Sequence, residues 1–244
     1  MPEDRADRAP SEAATRPAGP AIPAALLAAL AIALLTAAGI GARYWFRGDF
    51  GAVHALLVLF FSINLWICYW EICLFLRRDY VERRVAYWRG RQRETGRKPV
   101  IDFLSSKVPL ARILSPTVWA DVWAAYAEID ESFADRRAHG YNVDIANGFV
   151  TPVPILVLYA AYTFGILPAP AAGIIGAMLF WQLWYATLVY WIGFFGAGRQ
   201  SRIGRKDRYI YIWAPNTPWV LFSLLGLYVS IRLIVDGDYG VLGY

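Results

Sequence analysis

The chain has 244 residues, 58% hydrophobic and 16% aromatic, with a formal net charge of +5 and a mean hydropathy of +0.38 that few soluble domains of this size reach. Its basic residues fall in two blocks between apolar runs, so they read as topology signals rather than as a nucleic-acid surface. With only His54 and His139, the multi-histidine di-iron sites of membrane desaturases and hydroxylases cannot be assembled, and Cys68 and Cys73, five apart in one apolar stretch, suit no zinc motif.

Residues 1–20 mix Pro, Ala, Arg, Asp and Glu without hydrophobic periodicity; such a segment buries too little to offset its chain entropy and is expected to be a disordered tail. Residues 21–41 are 21 uncharged positions, longer than the apolar core of a signal peptide and long enough to cross the hydrocarbon, so they form a first, uncleaved span within a unit 21–50. A second span is expected over 51–76. Residues 77–143 turn hydrophilic, with Arg77, Arg78, Arg83, Arg84, Arg89, Arg91, Arg93, Arg97 and Lys98 crowding the first third, and are expected to be a large interfacial loop.

From Asp144 to Arg199 lie 54 consecutive uncharged residues, with Leu167-Pro168-Ala169-Pro170 near the middle. Proline at that density breaks a helix, which places spans three and four on either side. Residues 209–231 supply span five, completing a three-helix segment 144–234 before a short tail, 235–244. The expected fold is therefore all-α, a polytopic membrane bundle with five transmembrane helices. Of the 24 Lys and Arg residues, 21 fall on one face of this layout and Arg43, Arg47 and Arg232 on the other. The basic face should be cytoplasmic, with the N-terminus in and the C-terminus out. That means the inner membrane of a bacterium or the endoplasmic reticulum of a eukaryote.

A helix in lipid satisfies its own backbone, so polar side chains within spans need a separate reason. Asn64, Cys68 and Glu71 share one stripe of span two at i, i+4 and i+7, and Asp144, Asn147 and Thr151 share one of span three at i, i+3 and i+7. Span four offers Gln182, Tyr185 and Tyr190; span five offers Asn216 and Trp219. Such groups either bond one another across helices to hold the bundle or line a polar pocket. Two carboxyls beside aromatic rings favour the pocket, the arrangement in which a carboxyl can give or take a proton. An interfacial N-cap is the rival reading of Asp144. Just before span three, Asp130, Asp135, His139 and Asp144 have no standard metal-site spacing; solvated charge with Asp–Arg pairing is the default, and neither metal nor cofactor is expected.

Several spaced motifs resemble one family. Trp123-x-x-Tyr126-x-x-x-Asp130-x-x-Phe133 is similar to a W-x-x-Y-x-x-x-D-x-x-Y segment, and fourteen residues beyond Asp130 the chain carries Asp144 where that family opens a span with glutamate. Pro152 and Pro154 in span three, the stretch from Gln182 to Tyr190, and Asn216-Thr217-Pro218-Trp219 continue the likeness over roughly 119–233. The family is that of the emopamil-binding, or EXPERA, membrane proteins, which includes sterol double-bond isomerases and the sigma-2 receptor. Its span-two motif H-L-x-I-E-G-W aligns with Asn64-Leu65-Trp66-Ile67-Cys68-Tyr69-Trp70, where histidine has become asparagine and glutamate cysteine; the span-two acid is then Glu71, one turn displaced, or absent.

The resemblance implies an isomerase that protonates an alkene, holds the carbocation and removes a neighbouring proton. Asp144, Glu71, Asn216 and Trp219 would carry the chemistry. Asn64, Cys68, Trp123, Tyr126, Asp130, Asn147, Gln182, Tyr185 and Tyr190 would line the site, with Asp130 at its mouth. The substrate would be a sterol, terpenoid or similar lipid within the bilayer; no nucleic-acid partner is implied, and a homodimer is left open. The alternative is a non-catalytic lipid-binding protein or lipid chaperone of the sigma-2 receptor type. A small transporter is disfavoured by the lack of repeat symmetry.

Overall fold

The computed structural model describes residues 19–244, so nearly all of the expected N-terminal tail lies outside the described residues. A three-residue strand β1 (Ala21–Pro23) leads into α1 (Ala24–Arg47), followed by α2 (Ala52–Leu76), α3 (Arg78–Thr95), α4 (Pro99–Ser105), β2 (Lys107–Pro109) and α5 (Pro116–Tyr126). Then come α6 (His139–Val150), α7 (Pro152–Phe164), α8 (Ala169–Gly196), a short α9 (Arg205–Asp207), a π-helical turn (Arg208–Trp213) and α10 (Ala214–Asp236). The last three run on as one 32-residue helix. The protein is an all-α, polytopic membrane bundle. Helices α1, α2, α8 and Arg205–Asp236 are each long and apolar enough to cross a membrane, and α6 with α7, bent by 45° where they join, pass the same test together.

Local sequence explains most of these boundaries. Helix α2 occupies nearly all of the expected 51–76, from Gly51 to the first residue of the arginine block. The break between α7 and α8 falls at Gly165, whose φ of 68° suits a residue without a Cβ, and at Pro168. Pro152 opens α7 and cannot donate a backbone hydrogen bond into the preceding turn, which accounts for the bend. Helix α1 outruns its expected end by nearly two turns because Arg43 is neutralised locally: its Nε donates to Asp49 at 2.7 Å, so the charge does not stop the helix.

Residues 77–143 are more ordered than the expected loop. They fold as an interfacial layer of α3, α4 and α5, tied to the chain start by antiparallel pairing of β1 with β2. The layer is built around aromatics: Trp119 is fully buried, its ring 5.1 Å from Trp66 and 5.8 Å from Trp70, and its indole nitrogen donates to the Ile113 carbonyl. Arg84–Asp121 and Arg89–Glu128 ion pairs, each 3.0 Å, clasp α3 to α5 and the turn after it. Lys98–Asp207 at 2.6 Å and Arg202–Glu131 join this layer to the segment between α8 and α10, so the two basic blocks share one face. On the opposite rim Arg43 also donates to the Gly243 carbonyl, while Tyr244 and Tyr239 donate to the carbonyls of Tyr162 and Leu167.

Within the bundle, α8 and α10 approach closely through small residues. A Cβ built on Gly173 would stand 2.7 Å from the Ser230 carbonyl oxygen, a contact real side chains do not make. Lipid supplies no hydrophobic drive between helices, so backbone approach of this kind is what allows dispersion to hold them together.

Candidate functional site

The polar stripe of α2 faces inward: Asn64, Cys68 and Glu71 are all buried. What brings α6 against it is Gly148, where a Cβ would lie 2.8 Å from Glu71 Cβ and 3.1 Å from the Cys68 carbonyl oxygen. That approach sets Asn147 beside Glu71, and its Nδ2 donates to Glu71 Oε2 at 2.7 Å. Thr151 donates to Asn147 Oδ1 at 2.6 Å, and Gln182 Nε2 donates to Thr151 Oγ1 at 3.1 Å. A run of hydrogen bonds thus passes from α8 through the α6–α7 junction and ends, donor toward acceptor, on the α2 carboxyl.

Two turns away along α2, Trp219 Nε1 donates to Asn64 Oδ1 at 2.9 Å, and Asn64 Nδ2 donates in turn to the Phe60 carbonyl at 2.9 Å. The Phe60 ring meets the indole edge-on at 5.9 Å between centroids. With its nitrogen bonded and its face packed, the indole has one orientation.

Between these elements lies a half-open cavity of about 240 Å³. Its walls are mainly apolar and aromatic, from Ile67 and Trp70 on α2, Val122, Trp123 and Tyr126 on α5, Phe133, Val143 on α6, and Leu183 and Ala186 on α8. The polar groups that reach it are Glu71, Asp144, Asn147, Thr187, Tyr190, Asn216 and His139, with Trp219 beside them. Asp144 makes no hydrogen bond or ion pair to the described residues and is open to the cavity. Asn216 Nδ2 donates at 2.8 Å to the Ile212 carbonyl, bracing the π turn.

Above the cavity the layer of α3 to α5 forms a lid of fixed aromatic side chains. Trp123 donates to the Trp70 carbonyl at 2.8 Å and Tyr126 to the Tyr211 carbonyl. Burial, then the neighbouring Asp130 charge, push the Tyr126 phenol well above its ordinary value, so it stays a neutral donor. Asp130 is 1% exposed and accepts from Tyr190 at 3.1 Å and from the Ser132 backbone nitrogen at 3.0 Å, with Arg199 paired to it at 3.2 Å.

The structure therefore brings Glu71, Asp144, Asn216, Trp219, Trp123, Tyr126, Asn147 and Tyr190 to one cavity. Asn64, Cys68 and Gln182 stand behind its wall. Two placements differ from expectation. Asp130 has the Asp–Arg pairing expected of that cluster, with Arg199, but it is buried rather than solvated and does not line the cavity, which its partner Tyr190 does. Tyr185 is 56% exposed on the lipid-facing side of α8, stacked on Trp181 at 6.2 Å; α8 is apolar all round, so spacing alone could not tell its inner face from its outer one. Sequence reasoning also missed Thr187, for which the same ambiguity holds, and Arg199, whose partner is 69 residues earlier. The sequence offers His139 only as a conceivable metal ligand. It lines the cavity, but among the described residues no group of three or more His, Cys, Asp or Glu side chains stands close enough to share an ion. Compared with protein-family models, curated proteins and solved structures, the chain matches none.

Proposed function

We propose that the protein is a membrane-embedded isomerase that shifts a double bond in a sterol, terpenoid or similar hydrophobic substrate by acid–base chemistry. One observation carries the reading: two carboxyls from different helices, Glu71 and Asp144, meet an oriented indole, Trp219, at a single apolar cavity. Moving a double bond requires an acid to protonate one alkene carbon, a base to take a proton from the carbon beyond, and a way to hold the cation between. Asp144, which has no partner to release, delivers the proton. Glu71, aimed by Asn147, removes one, and a proton moving from Glu71 back to Asp144 resets the pair. Trp219 stabilises the cation through its ring, and the dry walls keep water from capturing it.

The basic face, where the two ion-paired basic blocks meet, is proposed to be cytoplasmic. A non-catalytic lipid-binding role is favoured by one observation: Asn64 and Cys68 stand where the resemblance puts histidine and glutamate, and Asn64 is fully engaged in holding Trp219.

A single substitution separates the two. A desolvated cation on an indole gains about 2 kcal/mol, or roughly thirtyfold in rate when the gain exists only in the transition state. Trp219→Leu should cut turnover by that factor, followed by NMR of the migrating double bond across a panel of isoprenoid alkenes, while leaving neutral-lipid binding near wild type. Equal weakening of neutral and cationic amine ligands, with no double-bond shift by the unaltered protein, would leave the binding role. Mass spectrometry of lipid co-extracted with the protein would name the substrate class.

A further inference from the structure

On the basic face, at the start of the last helix, a second and more open concavity of about 810 Å³ is lined by Arg205, Lys206, Arg208, Tyr209, Ile210 and Trp213. Arg84, Arg89, Arg91, Arg97, Lys98, Arg136, Arg199 and Arg202 are each paired with a carboxylate. The concavity's three cations have no carboxylate partner among the described residues, as is also true of Arg83, Arg93 and Arg112 at exposed positions of the same face, but Arg205, Lys206 and Arg208 stand together in one concavity. Arg208 goes further: its Nε is buried and has no hydrogen-bond acceptor, an expensive state for a guanidinium unless something else supplies the acceptor.

The remaining chemistry completes a pattern. Gly204 provides no side-chain cap to the helix it begins, and Asp207, the acid of that first turn, is turned away to Lys98. Tyr209 is 69% exposed and Trp213 38% exposed, amphipathic rings at the end of a span, where such rings sit at headgroup level. Positive charge that only sets topology needs neither a concavity nor a buried unpaired nitrogen.

We infer that this concavity binds the headgroup of an anionic phospholipid, with Arg205, Lys206 and Arg208 on the phosphate and Tyr209 and Trp213 against the glycerol and upper acyl chain. The site is separate from the cavity and does not depend on the proposed isomerase chemistry. It lies on the π turn whose continuation, from Pro215 to Trp219, lines that cavity.

Native mass spectrometry of the full-length protein, released from detergent and titrated with dioleoyl phosphatidylglycerol or dioleoyl phosphatidylcholine, tests the inference. The unaltered protein should retain phosphatidylglycerol in preference to phosphatidylcholine. Combined Arg205→Gln, Lys206→Gln and Arg208→Gln should weaken phosphatidylglycerol about tenfold or more. Arg83→Gln, Arg93→Gln and Arg112→Gln, which remove the same charge from exposed positions elsewhere on the face, should leave it unchanged. The swap Arg205→Lys, Lys206→Arg, which keeps Arg208 and the total charge, guards against a folding defect and should keep binding within about threefold, since lysine also binds phosphate as a point charge. Equal losses in the two glutamine variants, no preference over phosphatidylcholine, or full displacement of lipid by millimolar inorganic phosphate would each overturn it.

Discussion

The interfacial layer and the intramembrane cavity treat carboxyl groups in opposite ways. In the layer, Asp130 is matched from every side, by Arg199, by the Tyr190 hydroxyl and by a backbone nitrogen. In the cavity, fourteen residues further on, Asp144 has no partner at all, and Glu71 has an amide but no cation. Burying a charge is tolerated when its partners come with it; a carboxyl left without them in an apolar recess is held there by the rest of the fold. The contrast separates a residue that holds the lid from one available for chemistry, although the two look alike in sequence.

The widest gap between the regions should come from replacing each aspartate's means of action. Asp144→Asn should lower turnover about a thousandfold, near 4 kcal/mol in barrier, within the range for a lost general acid, while thermal unfolding in detergent stays at or above wild type. A large fall in stability would erase the distinction. On the other side, Arg199→Gln orphans Asp130 and should cost about 3 kcal/mol of stability, the low end for a broken buried pair because Arg199 is itself partly exposed. Adding Asp130→Asn should recover much of that loss, and failure to recover would mean the pair is not what closes the lid.

A smaller effect probes the contact that builds the cavity. Gly148→Ala places a methyl 2.8 Å from Glu71 Cβ and 3.1 Å from α2 backbone, which should destabilise by about 1–3 kcal/mol and lower activity out of proportion, because Asn147 moves with it. The smallest concerns the far rim. The Arg43 guanidinium holds the Asp49 carboxyl below its ordinary value of 3.8. A carboxyl lowered in the folded state contributes stability that is present above that value and lost as pH falls through the lower folded one. Melting curves should therefore show a slight loss below about pH 4 that Asp49→Asn removes.

Much of the bundle was legible because its signals are local. Gly51 and Arg77 bracket α2, Pro168 divides α7 from α8, and the i, i+4, i+7 polar stripe of α2 faces the interior. What was hidden depends on partners distant in sequence. The β1–β2 pair is three residues long on each side, too short for any alternation to be seen. Helices α3 to α5 lay within a charged stretch whose burial comes from aromatics on α2, and Asp130 could not be told from a solvated acid without Arg199. Tyr185 and Thr187 are two residues apart on a helix whose every face is apolar, so only packing against α6 and α10 separates the one at lipid from the one at the cavity.

The bend between α6 and α7 has a consequence for how the chain enters the membrane. At 12 and 13 residues the two halves are about 18 and 20 Å long, each well short of the roughly 30 Å hydrocarbon core. Helix α6 also carries Asn142, Asp144 and Asn147, so it is a poor candidate for spontaneous partition from the insertion machinery. Its settled position depends on a groove already offered by α2, where Gly148 fits and Asn147 finds Glu71. The settled place of α6 therefore requires α2 to be present first, and the carboxyl it carries finds an apolar recess only once the surrounding walls exist to receive it.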